Sequence, residues 1–336
     1  MIFRSEIDLP KSDLVIEHNN RITTVGSCFA ENISQNFIFY RFDVLGNPFG
    51  VLYNPASIFN SIKLLSDRKV FKKEDLFFDQ GEWHSFYHHS DFSNHNADAC
   101  LEKINEELVK TRKYFETTDV LIITYGTSYV YKHRERNIIV SNCHKIPAAQ
   151  FDRLRLNMNE TNDHIESTYK LLKEINNNIK IIFSVSPVRH WKNGAVDNQL
   201  SKSVLLMAVH EAIKEKGDCV YFPAYEILMD DLRDYRFYES DLVHPNKIAV
   251  EYIWEKFVNA HLTDSCKNVL MEIEPLAKAI FHRPRNIFSD NYKNFILNQL
   301  NLIERLRKKY YYINLKEEEK YFQKQLKEIQ SYNNRY

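Results

Sequence analysis

Arg21-Ile22-Thr23-Thr24-Val25-Gly26-Ser27-Cys28-Phe29-Ala30 is the stretch on which the reading of this chain turns. Four consecutive β-branched residues, Ile22 to Val25, predict a short buried strand, and Gly26 breaks it at once. From Cys28 to Tyr40, Phe29, Ile33 and Phe37 recur at helical spacing. Strand, tight turn and helix thus follow one another within twenty residues. The same succession returns twice. Val120-Leu121-Ile122-Ile123-Thr124 runs into Tyr125-Gly126-Thr127-Ser128, and Lys180-Ile181-Ile182-Phe183-Ser184-Val185 runs into Ser186-Pro187. Helical patterns lie between, at 97–115 and 161–176, and another at 197–216 leads to a short strand, Cys219-Val220-Tyr221. Strands alternating with helices predict an α/β fold with a parallel sheet covered on both faces.

Ligands of such sheets sit outside the carboxyl ends of the strands. Those ends carry Gly26-Ser27-Cys28, Gly126-Thr127-Ser128 and Ser186-Pro187-Val188-Arg189-His190. Polar, chemistry-bearing residues therefore gather where the fold places a site, which points to an enzyme. A balance of 45 basic and 45 acidic side chains leaves no net charge, which argues against an electrostatic grip on nucleic acid. The first 20 residues lack the apolar core of a signal peptide, and no stretch has the roughly 18 apolar residues of a membrane span. The five cysteines, Cys28, Cys100, Cys143, Cys219 and Cys266, are odd in number and widely spaced, which does not suit a disulfide framework. A cytoplasmic protein without membrane or nucleic-acid partners is the expectation.

A nucleophile at a strand-to-helix turn projects into the cleft, close to unpaired helix N–H groups that favour negative charge and lower a thiol's pKa. Gly26 lets that turn close; Ser27 capping the helix with Cys28 as a small buried hydrophobe is the plainer alternative. Further on, Glu239-Ser240-Asp241-Leu242-Val243-His244-Pro245-Asn246 places a carboxylate three residues before an imidazole, ahead of a helix at 247–257. Pro245 keeps His244 out of regular helix. Such a carboxylate orients a general base.

Gly26-Ser27-Cys28-Phe29-Ala30 spells the signature after which the GSCFA family is named, and the likeness goes further. Asn47-Pro48-Phe49-Gly50, Gly126-Thr127-Ser128, Asn142-Cys143-His144-Lys145-Ile146-Pro147, Ser186-Pro187-Val188-Arg189-His190, Arg233-Asp234-Tyr235-Arg236-Phe237-Tyr238 and Asp241-Leu242-Val243-His244-Pro245 all resemble blocks of that family. Together they span roughly 20 to 258, with the tail outside. The resemblance implies an SGNH (GDSL-type) hydrolase architecture, a flavodoxin-like three-layer α/β/α sandwich acting on ester bonds, often acetyl groups on sugars, by hydrolysis or acyl transfer. It implies no cofactor. Residue by residue, Cys28 falls on the position of the nucleophilic serine, Gly50 on the second-block glycine, and Asp241 with His244 on the final Asp-x-x-His. Ser128 stands where an asparagine would complete the oxyanion hole. The nucleophile is then a thiol, or Ser27 if the register shifts by one. Cys28 N–H, Gly50 N–H and the Ser128 hydroxyl are the expected oxyanion donors.

Asn47, Gly126, Asn142 and His144 are further candidates for substrate contacts. Arg189 and His190 are expected either to hold a substrate carboxylate or phosphate or, for Arg189, to pair with Asp241 or a neighbouring acid. Cys143-His144 offers a second thiol–imidazole pair only if the segment turns, since neighbours on a strand face opposite ways. His84, His88, His89 and His95 lack an acidic or cysteine partner at metal-site spacing, so no metal is expected and the rim of the cleft is the preferred place for them. The predicted organisation is a catalytic domain over 1–260 and a helical extension over 261–336. The latter forms long amphipathic helices from about Asn286 and is a candidate for self-association.

Overall fold

The computed structural model describes residues 5–333. Its first half runs β1 (Arg21–Gly26), α1 (Cys28–Phe39), β2 (Asp43–Gly46), α2 (Pro55–Ser66), β3 (Phe77–Asp79), β4 (Glu82–His84), α3 (Ala97–Phe115), β5 (Val120–Tyr125), β6 (Tyr129–His133), β7 (Ile138–Val140) and β8 (Phe151–Arg155). There follow α4 (Met158–Ile175), β9 (Lys180–Val185), α5 (Gly194–Ile213), β10 (Cys219–Phe222), the single turn α6 (Ala224–Glu226), α7 (Lys247–His261), α8 (Asp264–Ala279), α9 (Asp290–Lys309) and α10 (Lys316–Asn333).

The main sheet has five strands in the order β10-β9-β5-β1-β2, with β1, β5, β9 and β10 joined in parallel. Its register explains the apolar runs. Val25, Ile123 and Phe183 lie abreast on one face, as do Thr24, Ile122 and Ile182 on the other, and all six are buried. The first row joins a core built with α2, α3, α4 and α5. On the opposite face Phe222 of β10 meets Phe257 of α7 edge-on at 5.1 Å. Each such side chain, withdrawn from water, contributes roughly 1.5–3 kcal/mol, which is why these strands carry no alternation of polar residues. The order places the chain reversal beside β1, between the ends of β1 and β5, where doubly wound sheets receive ligands.

Helix starts follow local chemistry. Asn157 and Glu160 form a reciprocal capping box, so α4 begins at Met158, three residues before the expected Thr161. Two small antiparallel sheets, β3-β4 and β7-β6-β8, were not foreseen, because their strands are only three to five residues long and carry little periodicity.

The chain divides into two compact units, one of residues 1–14, 21–35 and 44–261, the other of 15–20, 36–43 and 262–336. The second is therefore more than the expected extension over 261–336, because it takes in two short segments from the amino-terminal part. Its core joins α8, α9 and α10 through residues such as Ile273, Ile296, Leu306 and Phe322. Within it Arg41 pairs with Glu318 at 2.5 Å and His18 is bonded to the Tyr40 carbonyl at 2.8 Å. Among the described residues no helix is long and apolar enough to cross a membrane.

Candidate active site

The turn after β1 is built around a position that tolerates no side chain. Gly26 has φ +145°, and a Cβ there would lie 2.2 Å from the Thr124 carbonyl oxygen of β5. Its N–H donates to Asn47 Oδ1 at 2.9 Å. Ser27 is sealed from solvent; its carbonyl accepts the Ala30 and Glu31 amides and its hydroxyl accepts the Phe29 amide at 3.3 Å. Ser27 therefore caps α1, and the geometry favours Cys28, which is only partly covered, as the group presented to the cleft. Among the described residues the Cys28 N–H has no acceptor, and it opens the helix. Burial pushes the Cys28 thiol above its ordinary pKa, against the opposing pull of the Cys28 and Phe29 amides and of Lys202. The expected net lowering by the helix end is thus outweighed by desolvation, which favours the neutral thiol.

Asp241 and His244 form a hydrogen-bonded pair on the loop ahead of α7. Asp241 Oδ2 lies 2.7 Å from His244 Nδ1, while Oδ1 accepts the amides of Val243 and His244 at 2.9 and 3.0 Å. Those backbone donors, with the imidazole, hold the Asp241 carboxyl down at about 2. Leu242, at φ +59°, makes the tight reversal. The loop is tied to the end of β9 by Arg189 N–H donating to the Val243 carbonyl at 3.4 Å. Asp241 stands near enough to Cys28 for its charge to oppose ionisation of the thiol. No hydrogen bond joins Cys28 to His244 in this resting arrangement, and both dyad side chains are about half exposed. Such distances commonly close only when substrate binds.

Between the two parts lies a buried polar core that the motifs did not announce. A Cβ on Gly126 would sit 3.2 Å from His190 Nε2 and 3.3 Å from Tyr53. His190 Nε2 is buried without a hydrogen-bond partner, and burial, with Lys202 and His244 nearby, lowers its pKa to about 4, so the ring is neutral. Tyr53 meets it edge-on at 5.6 Å. Lys202, fully buried on α5, donates to the Gly126 and Ser186 carbonyls at 2.8 and 2.6 Å and thereby ties the ends of β5 and β9 together. Desolvation brings its ammonium down to about 7. Asn198, Ser201 and Lys202 occupy the same helical stripe as Leu205, Ala208, Val209 and Ala212. Polar residues on an otherwise apolar stripe were the available signal, and each reaches the site. Asn198 takes the His190 amide, and Ser201 the Ser128 amide.

A family model described as the GSCFA family matches residues 21–257. The chain belongs to the GSCFA family. A second model, described as the C-terminal domain of GSCFA domain proteins, matches residues 273–328, so the tail is not foreign to the family as the sequence blocks suggested. No curated protein matches the chain. Within the GSCFA region the structure redistributes several expected roles. Asn47 is a strut, its carboxamide bridging Gly26 N–H and Glu31, rather than a free substrate contact. Gly50 N–H donates to the Asn47 carbonyl at 2.7 Å, and the Gly50 Cα packs where any Cβ would strike His89. The Ser128 hydroxyl donates to Ser201 at 3.1 Å. Two of the three expected oxyanion donors are therefore engaged within the protein.

Arg189 forms no pair with Asp241, whose carboxylate is taken by His244 and two amides. Asn142 accepts the His144 amide, and His144 Nε2 is bonded to the Ser85 carbonyl at 2.8 Å. Burial depresses the His144 pKa to about 4 and raises the Cys143 thiol to about 11. Neither contacts the other as a dyad, and among the described residues nothing couples Asn142 or His144 to Cys28 or His244. His144 instead lies 4.7 Å from the His84 ring, in an aromatic cluster with Phe77. His84 is bonded to Ser93 and His88 to Ser85. Among the described residues no three metal-ligating side chains converge.

Proposed function

We propose that the chain is an acyl-ester enzyme of SGNH-like architecture that works through a covalent thioester on Cys28. The observation that carries this reading is the Asp241–His244 pair, oriented at 2.7 Å, with the Asp241 charge felt by a half-buried thiol at a helix start. His244 takes the proton from Cys28 as Sγ attacks the ester carbonyl. The S–C bond forms, the C–O bond breaks, and the departing alkoxide leaves as an alcohol with that proton. Water, or an acceptor alcohol, then attacks the thioester with His244 again as base, restoring the thiol. Cys28 N–H is the oxyanion donor that no protein group occupies, and neutral His190 supplies the second polar contact. A thiol pushed up by burial reacts only when a base removes its proton, which makes the reaction depend on His244.

The test is intact-mass analysis after brief exposure to p-nitrophenyl acetate, with peptide mapping. A single acetyl on Cys28, absent in His244→Ala, is expected. An adduct on Ser27 would move the nucleophile by one residue, and neither adduct nor ester turnover would sink the enzyme reading. A second reading, a ligand-binding module on the same fold, draws on the engagement of Gly50 N–H and the Ser128 hydroxyl, which thins the oxyanion hole. Losing one such donor commonly lowers a rate by about 10²–10³.

A further inference from the structure

Beside the dyad lies a pocket of about 490 Å³ whose walls include Arg189, Trp191, Tyr235, Tyr238 and Asp241, a volume within the usual ligand range. Arg189 stands apart from the other arginines around this pocket and from the dyad. Arg233 pairs with Asp230, Arg236 with Asp234 and His244 with Asp241. Arg189 has no carboxylate partner among the described residues, and its Nε is buried with no hydrogen-bond acceptor. The guanidinium lies 4.7 Å over the Trp191 ring, which fixes its plane without neutralising it. A half-buried fork of N–H donors with no anion is a recognition element for a carboxylate or phosphate. The rings beside it stand in solvent. Tyr235 is 74% exposed and Trp191 44%, with Tyr235 and Tyr238 6.1 Å apart. Exposed aromatic faces suit a ring that is apolar on one side and hydroxylated on the other, whereas a wholly apolar ring calls for an enclosed slot.

We infer that this pocket binds the part of the substrate that is not acylated at the reacting ester, as a sugar ring carrying a carboxylate or phosphate that Arg189 holds. The inference rests on the acyl-ester reading for its orientation toward Cys28, but its binding step does not need the chemistry. Isothermal titration on the full chain carrying Cys28→Ala, which removes the nucleophile, uses glucuronate, glucose 6-phosphate, glucose and inorganic phosphate at constant ionic strength. Both anionic sugars, or one of them, bind at least about tenfold more tightly than glucose and than phosphate alone, the scale of one charge-assisted hydrogen bond. Preference for glucuronate assigns a carboxylate; preference for glucose 6-phosphate assigns a phosphate. Arg189→Gln abolishes the preference over glucose, Arg189→Lys keeps part of it, and Arg134→Gln, an arginine outside the pocket that pairs with Asp152, leaves it intact. Thermal melts show that each variant is folded. Equal binding of glucose and the anionic sugars, a preference that survives Arg189→Gln, phosphate binding as tightly as glucose 6-phosphate, or no binding at all overturns the inference. Loss of the acetyl adduct on Cys28 with the preference retained would remove the enzyme reading and leave the pocket; the adduct without the preference would do the reverse.

Discussion

Replacing Lys202 by methionine separates what this side chain does for the fold from what its charge demands. The lysine is fully buried, and desolvation takes it from an ordinary 10.5 to about 7. At ~1.4 kcal/mol per pH unit, that drop is a preference of ~5 kcal/mol for the neutral amine in the folded state. The sign follows from proton counting. Between pH 7 and 10.5 the unfolded chain holds a proton on Lys202 that the folded chain lacks, so folded stability rises with pH across this window and falls as pH drops toward 7. Methionine is of similar length and carries no proton. Lys202→Met also removes two hydrogen bonds, to Gly126 and Ser186. Their loss is a nearly constant offset of about 1–3 kcal/mol for each carbonyl left without a donor. Urea denaturation of both chains, in a Cys28→Ala background so that the neighbouring thiol does not titrate, gives the difference in unfolding free energy at each pH. That difference should grow by ~1.4 kcal/mol per unit, or ~3 kcal/mol between pH 7.5 and 9.5. A difference that stays constant across this range would refute the reasoning, because it would mean that Lys202 is not held near neutrality by its burial.

Asp241→Asn and His244→Ala should each slow acylation of Cys28 by at least about 10², with the double variant little worse than the poorer single one, because the two act as a unit. Stopped-flow acylation measures this; fully additive losses would mean independent roles. Ser27→Ala should lower stability by about 1 kcal/mol through loss of a helix cap while Cys28 still acylates, as read by melts and adduct mass. Gly26→Ala should cost at least about 3 kcal/mol, since its Cβ would meet the Thr124 oxygen at 2.2 Å at a φ of +145°. Gly217→Ala, with nothing within 4 Å, should leave the urea midpoint almost unmoved. Four histidines held neutral by burial set the acid limit, with His88 at about 3 and His144, His190 and His261 at about 4, against an ordinary 6.5. Unfolding lets them take protons first, so their contribution is complete above pH 6.5 and is lost as pH falls toward 4, at ~1.4 kcal/mol per unit for each. Stability that stays level from pH 6.5 to 5 would contradict this.

The parallel sheet was legible because burial on both faces forces continuous apolar strands, and 120–125 and 180–185 cannot be disguised. The candidate nucleophile and dyad were legible for a different reason. A glycine between a strand and a helix, and a carboxylate three residues before an imidazole ahead of proline, are local patterns that leave the chain few conformations. What the motifs could not convey is which donors are already engaged. Asn47, Gly50 and Ser128 have the right identities for a site, yet their hydrogen bonds close within the protein, to Gly26, Asn47 and Ser201. Each partner lies far off in sequence or depends on a turn whose shape local spacing does not specify. Lys202 was hidden for the converse reason, since a lone lysine in a helix usually faces solvent. Its position on the stripe of Leu205 and Ala208 is informative only together with Asn198 and Ser201. Arg189 was undecided between a substrate anion and a pair with Asp241 or a neighbouring acid, and the Val243 and His244 amides, with the imidazole, complete the Asp241 carboxylate without a guanidinium. Arg189 is thereby left, among the described residues, without a carboxylate partner on the wall of the adjoining pocket, which is the observation the proposed anion contact rests on and the one Arg189→Gln tests.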